Sequence, residues 1–177
     1  ANGIEKMTGQ RPFIYYTNGH EIHFWDDHPV VGYPPRRVWG FHDLEKLQYL
    51  LFQRKNRQKL STIKLKTSIA ERDYQFECIR RVYECFEDRN RRKALIVMAT
   101  GTGKTRTAMS LIDGLMRANW VKRVLFLVDR VELQNQAEED GFKEHLPDLS
   151  IVKVSSATKK DKDARVYLAT YNAMMNA

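Results

Sequence analysis

The stretch Ala94-Leu-Ile-Val-Met-Ala-Thr-Gly-Thr-Gly-Lys-Thr105 decides how this 177-residue chain is read. Its first five residues, Ala94 to Met98, are apolar and predict a buried β-strand. They run into a loop of small residues closing on Gly103-Lys104-Thr105, and Thr105 to Ala118 carries helical spacing. Strand, loop and helix in that order build an anion cradle. Gly101 and Gly103 have no Cβ to clash, so the backbone can curl until several N–H groups face one point. The helix adds the positive end of its dipole. A lysine at 104 then reaches the β/γ phosphates of a nucleoside triphosphate, and the Thr105 hydroxyl is placed to bind Mg²⁺. The strict pattern G-x-x-x-x-G-K-[ST] departs at its first glycine, where Met98 stands.

Composition bounds the rest. Hydrophobic residues make up 42% of the chain, enough for a real core, and the length suits one large or two small domains. No apolar run approaches the ~20 residues of a membrane span, and Ala1-Asn-Gly-Ile-Glu-Lys6 has no signal-peptide core. A cytoplasmic protein with no membrane partner is expected. Cys78 and Cys85 fall on one predicted helix, about 10 Å apart along its axis, too far for a disulfide. The net charge of +8 is concentrated: Lys46, Arg54, Lys55, Arg57, Lys59, Lys64 and Lys66 fall in a stretch to Ala70 with no acidic residue. Such a stretch suits a phosphate backbone or a solvated linker equally.

Phe13 to Trp25 reads as a β-hairpin, two aromatic runs about Asn18-Gly19. Residues 26–38, with Pro29, Pro34 and Pro35, read as irregular, and Asp43 to Gln53 as a helix. From Glu71 the pattern alternates. Tyr74, Cys78, Ile79, Val82, Tyr83 and Phe86 form one helical stripe. Arg123–Val128 is a strand, Val131–Asp140 a helix, and Ile151–Val154 and Arg165–Ala169 are strands. Apolar strands alternating with helices predict an α/β fold with a parallel sheet covered on both faces, and the phosphate loop would lie at the C-terminal end of its strand.

Met98 to Thr105 resembles motif I of superfamily 2 helicases and translocases, and in particular of the R (motor and restriction) subunits of type I restriction enzymes. Arg72-Asp-Tyr-Gln75 resembles that family's adenine-reading motif. An amide at 75 can accept from the adenine N6 amine and donate to N7. Val124 to Gln136 resembles motif Ia, which implies DNA-phosphate contacts for Arg130 and Gln136. Five apolar residues ahead of Asp129 also fit a Walker B strand, whose aspartate would join the Mg²⁺ shell, but Arg130 stands where a catalytic Glu would follow. Ala169-Thr-Tyr-Asn172 resembles motif Ib, with Thr170 as a DNA contact. Gln10 to Asp26 resembles the last hairpin of the family's restriction-endonuclease-like nuclease domain, and Pro34 to Gly40 the connector into its motor.

The resemblance implies a nuclease tail over 1–28, a connector over 29–70 and an incomplete RecA-like P-loop motor domain over 71–177. It implies ATP bound by Arg72, Gln75, Thr100, Gly101, Thr102, Gly103, Lys104, Thr105 and Arg106, with Mg²⁺ on Thr105 and with Lys104 and Thr105 acting catalytically. The partners it implies are double-stranded DNA and the methylation and specificity subunits of a type I complex. The activity it implies is ATP-driven DNA translocation followed by cleavage. Another superfamily 2 DNA or RNA helicase, a small-molecule P-loop kinase and a non-catalytic nucleotide-binding module stand as alternatives. Asp26 and Asp27, with no Glu-x-Lys nearby, are expected to be surface residues, so no nuclease catalytic residue is assigned. Neither Walker B nor a second motor domain occurs in these residues, so an internal fragment of a larger polypeptide is expected.

Overall fold

The computed structural model describes residues 1–155 and 163–175, which divide into two compact units, 1–57 and 58–177. The boundary splits the expected 29–70 connector between them.

The first unit opens with helix α1 (Asn2–Thr8), followed by strands β1 (Ile14–Thr17), β2 (Ile22–Asp26) and β3 (Tyr33–Val38) and helix α2 (Leu44–Asn56). The three strands form one antiparallel sheet in chain order. The hairpin closes at the Thr17–Ile22 pair, and Asn18 Oδ1 accepts the N–H groups of His20 and Glu21 at 3.0 and 2.8 Å. The expectation of irregular chain over 26–38 is corrected by β3. Asp26 pairs with Tyr33 and Phe24 with Arg36, so Pro34 and Pro35 face Trp25 alone across a bulge. A bulge on an edge strand is where proline costs no ladder hydrogen bond.

Asp26 and Asp27 are not surface residues. Asp26 is 4% exposed and Arg54 of α2 donates to it, with Nη2 2.6 Å from Oδ1. Asp27 takes a two-pronged contact from Arg11, Nε to Oδ1 at 2.9 Å and Nη2 to Oδ2 at 2.7 Å. The Arg11 hydrogen bond holds the Asp27 carboxyl below its ordinary pKa against the opposing effect of burial. Both carboxylates are committed to arginines and take no part in a metal cluster.

In the second unit a short 3₁₀ turn (Leu60–Thr62) leads to α3 (Asp73–Glu87), α4 (Lys104–Arg117), β4 (Val124–Val128) and α5 (Val131–Gln136). The α5 helix continues as a π-helical segment through Lys143. Strands β5 (Ile151–Lys153) and β6 (Val166–Thr170) and the short α6 (Tyr171–Met175) follow. The sheet is parallel, in the order β4-β6-β5. Ile69, Met109, Ile112, Met116, Phe142, Val166 and Leu168 pack α4 and the π-helical segment onto it. A second cluster joins α3 and α4 to the chain before them, with Leu60, Ala70 and Ile79 fully buried. Residues 58–70 are therefore part of this core. The Glu87 carboxylate accepts the N–H groups of Leu60 and Ser61, and Lys66 pairs with the buried Asp113 at 2.9 Å.

The strand expected over Ala94–Met98 is not formed. The segment carries no ladder, and Leu95 and Val97 are exposed. Apolar composition specifies that a segment can sit in a sheet, but a strand exists only where a neighbour supplies its hydrogen bonds, and no described residue does so here.

Where α3 crosses α4, Tyr83 lies against Gly114, and a Cβ on Gly114 would fall 1.8 Å from the Tyr83 hydroxyl. That hydroxyl is buried without a hydrogen-bond partner among the described residues, and burial raises its pKa to about 12. Gly114→Ala should cost about 1–3 kcal/mol of stability by overpacking, although alanine inside a helix is otherwise better than glycine by about 0.5–1 kcal/mol. Tyr83→Phe should be neutral or slightly stabilising, because it deletes an unsatisfied polar atom, and it should relieve part of the Gly114→Ala loss. Equal losses from Gly114→Ala in both backgrounds, measured by denaturant unfolding, would remove this contact as the cause.

Candidate nucleotide site

The loop before α4 is shaped by its glycines. Gly101 has φ +78° and Gly103 φ +83°, a region that favours residues without a Cβ. Gly103 is constrained twice, because a Cβ there would also meet Gln75 Nε2 at 2.3 Å. The Thr102 hydroxyl donates to the Ala99 carbonyl at 2.7 Å and tightens the turn. At the other end Thr107, 1% exposed, returns both its N–H and its hydroxyl to the Gly103 carbonyl.

Helix α4 begins without a side-chain cap. The N–H groups of Gly103, Lys104, Thr105 and Arg106 donate to no described residue. An uncapped N-terminus with converging N–H groups and a positive dipole end favours an anion. Lys104 is exposed and has no carboxylate partner among the described residues. Its Nζ donates to the carbonyls of Met98 and Ala99 at 3.3 and 2.9 Å, neutral acceptors that a phosphate can replace. Arg72, Gln75, Gly101, Gly103 and Arg106 line one cavity of about 190 Å³ with Glu71.

Three of the expected nucleotide residues have protein partners that sequence could not reveal. Gln75 is 2% exposed, and both its amide oxygen and its amide nitrogen are hydrogen-bonded. Oε1 accepts from the N–H groups of Glu71 and Arg72, and Nε2 donates to the Thr102 carbonyl at 3.0 Å. Arg106 pairs with Glu71, and Arg72 donates to the Tyr74 hydroxyl at 2.7 Å. Thr100 is exposed in the loop. Thr105 stands in the first turn of α4 and packs close to Gly141 of the π-helical segment. Its hydroxyl is one ligand, and no group of three or more His, Cys, Asp or Glu that could hold a metal occurs among the described residues. The residues fit Mg²⁺ only as an ion shared with phosphate oxygens and water, its usual mode.

Two of the three expected DNA contacts, Arg130 and Thr170, sit at one end of the sheet. Val128 of β4 is in register with Thr170 of β6, so Arg130, just past β4, emerges beside the end of β6. Arg130 is 75% exposed in its side chain and among the described residues reaches only its neighbour Asp129, at 3.5 Å. Gln136 is exposed, whereas Gln134 is buried and ties α5 to the Leu168 carbonyl at 2.9 Å. Thr170 is 7% exposed, and its hydroxyl accepts the Ala173 N–H at 3.2 Å. The residues sequence reasoning missed are Glu71 and Tyr74, whose contacts to Arg106 and Thr102 lie far off in sequence.

Residues 68–177 match the family described as type III restriction enzyme, res subunit. The chain belongs to that family. Two curated relatives of this res-subunit family member carry type I names. It is 37% identical over 103 residues to the type I restriction enzyme EcoAI endonuclease subunit of Escherichia coli, over 58% of the chain. It is 31% identical over 137 residues to the EcoKI endonuclease subunit of Escherichia coli strain K12, over 71% of the chain. The chain spans 12% of the length of each. The type I resemblance read from motifs 72–75 and 98–105 is therefore matched by relatives. Among solved structures, the Sulfolobus solfataricus SWI2/SNF2 ATPase core in complex with dsDNA superposes with a TM-score of 0.53 at 20% identity, covering 68% of this chain and 25% of that one. The res-subunit family member thus shares the RecA-like α/β fold of that ATPase core. No helix among its described residues is long and apolar enough to cross a membrane.

Proposed function

We propose that these residues form the ATP-binding part of the motor in an ATP-dependent DNA translocase and endonuclease subunit of a type I restriction-modification system. The observation that carries the reading is the uncapped N-terminus of α4, with its converging N–H groups, two left-handed glycines and Lys104. The N–H groups and Lys104 would bind the phosphates, and Thr105 would hold Mg²⁺, which supplies charge neutralisation on the β/γ oxygens. Glu71, Arg72 and Arg106 wall the cavity beside them. Adenine contact by Gln75 requires its amide to exchange a backbone partner for the base. DNA would run past Arg130, Gln136 and Thr170, and the methylation and specificity subunits would be the assembly partners. The structural neighbour's complex with dsDNA and the type I restriction relatives support this reading.

The test is DNA-stimulated ATP hydrolysis by the complete protein. Long duplex DNA should raise the rate many-fold, whereas a kinase would need a small acceptor and no DNA. Within it, Arg130→Ala should weaken duplex binding uniformly across sequences and reduce the slope of log affinity against log salt by about 1. Fluorescence anisotropy over a salt series reads this. A slope equal to that of the parent protein would remove Arg130 from the DNA track.

A further inference from the structure

The peptide joining Thr102 to Gly103 is gripped from the α3 side. Its carbonyl accepts from the Tyr74 hydroxyl at 2.9 Å and from Gln75 Nε2 at 3.0 Å. In a planar trans peptide the C=O and N–H point in opposite directions. Holding the Thr102 carbonyl toward Tyr74 and Gln75 therefore turns the Gly103 N–H away from those two donors. Gln75 is fixed by its contacts with Glu71 and Arg72, and Tyr74 is fixed differently. Arg72 Nη1 donates to the Tyr74 oxygen at 2.7 Å, and the guanidinium carbon lies 5.9 Å from the ring centroid. A guanidinium only donates and a carbonyl only accepts. The proton order is therefore set as Arg72 to Tyr74 oxygen, then Tyr74 O–H to the Thr102 carbonyl. Donation from a cation polarises the hydroxyl and strengthens its own bond onward.

We propose that Tyr74 is a positioning residue of the nucleotide site: through the Arg72–Tyr74–Thr102 relay it orients the peptide that aims the Gly103 N–H at the phosphates. The inference rests on the ATP reading above and deepens it. It accounts for Tyr74 standing 45% exposed, off the buried stripe of α3, with its hydroxyl turned to the phosphate loop rather than to the core. Because the relay acts on a backbone N–H, its contribution is independent of the base.

The complete protein and its Tyr74→Phe variant are titrated with ADP and with inorganic tripolyphosphate, each with Mg²⁺, and followed in steady-state ATP hydrolysis. Phenylalanine keeps the ring and deletes only the relay oxygen. The expected result is a loss of affinity of about threefold to tenfold, equal for the two ligands, as one net hydrogen bond predicts. The KM for ATP rises by a similar factor with a smaller change in kcat, and the melting temperature without ligand is unchanged. Unchanged affinity for both ligands overturns the proposal. So does a loss confined to ADP, which would make Tyr74 a base contact, and so does a lowered ligand-free melting temperature that accounts for the loss. A parent protein that binds neither ligand overturns the ATP reading itself, which separates that failure from this one.

Discussion

Lys104→Ala is expected to lower DNA-stimulated ATP hydrolysis by about 100-fold or more, the scale lost when one preorganised charge on a developing oxyanion is removed. The argument starts from what Lys104 does without nucleotide. Its Nζ is held by two neutral carbonyls, Met98 and Ala99, on an exposed surface. Those bonds park the ammonium beside the loop at little energetic cost, and a phosphate oxygen is the stronger acceptor. Losing two exposed bonds to backbone carbonyls should change stability within about 0.5 kcal/mol, so loss of activity should come with an unchanged melting temperature. Lys104→Arg should rescue poorly, because a planar fork does not replace a compact point charge in a tight loop. Substantial ATP hydrolysis in folded Lys104→Ala protein would take Lys104 out of the triphosphate site and leave the α4 N-terminus with a different anion.

What could be read from the sequence, and what could not, divides by the range of the interactions involved. Helix α4 and strands β4, β5 and β6 follow from local periodicity, because each buries a face that its own residues define. The Ala94–Met98 strand does not form, because pairing depends on a neighbour and not on its own apolar content. Strand β3 was hidden by Pro34 and Pro35, read as punctuation, although a bulge opposite Trp25 accommodates both. The candidate phosphate loop was legible as a motif, since Gly101 and Gly103 set a backbone geometry encoded within a few positions and Lys104 follows directly. Its supports were not. Glu71 pairs with Arg106 and Tyr74 reaches Thr102 across a separation that no local pattern spans. The acidic pair at 26 and 27 looked solvated for the same reason. Its arginines, Arg54 and Arg11, lie elsewhere in the first unit.

That last pair sets the largest stability effect expected in the first unit. Asp26→Ala should destabilise it by about 3–5 kcal/mol, because it strands the Arg54 guanidinium where both partners are nearly dry. The side chains of Arg54 and Asp26 are 6% and 5% exposed. Arg54 also lies 4.0 Å from the Phe13 ring centroid, and Asp26 accepts the His28 N–H at 3.2 Å, so neither can swing out to water without breaking other contacts. The exposed pair Arg37–Glu21 is the internal control. At 56% and 39% exposure, its removal should cost under about 1 kcal/mol. Replacing both buried partners, Asp26→Leu with Arg54→Met, should cost much less than Asp26→Ala alone, since the penalty comes from an unpaired charge and not from the lost attraction. Amide hydrogen exchange across residues 14–38 reads the unit directly, without requiring the whole polypeptide to unfold in one step. The measurement belongs near neutral pH. The Asp27 carboxyl, held low by Arg11, stabilises the fold fully above its unfolded pKa of about 4 and loses that contribution as pH falls through its lower folded value. Exchange protection in Asp26→Ala equal to that of the parent protein would show that Arg54 finds another partner and that the pair does not hold α2 to the sheet.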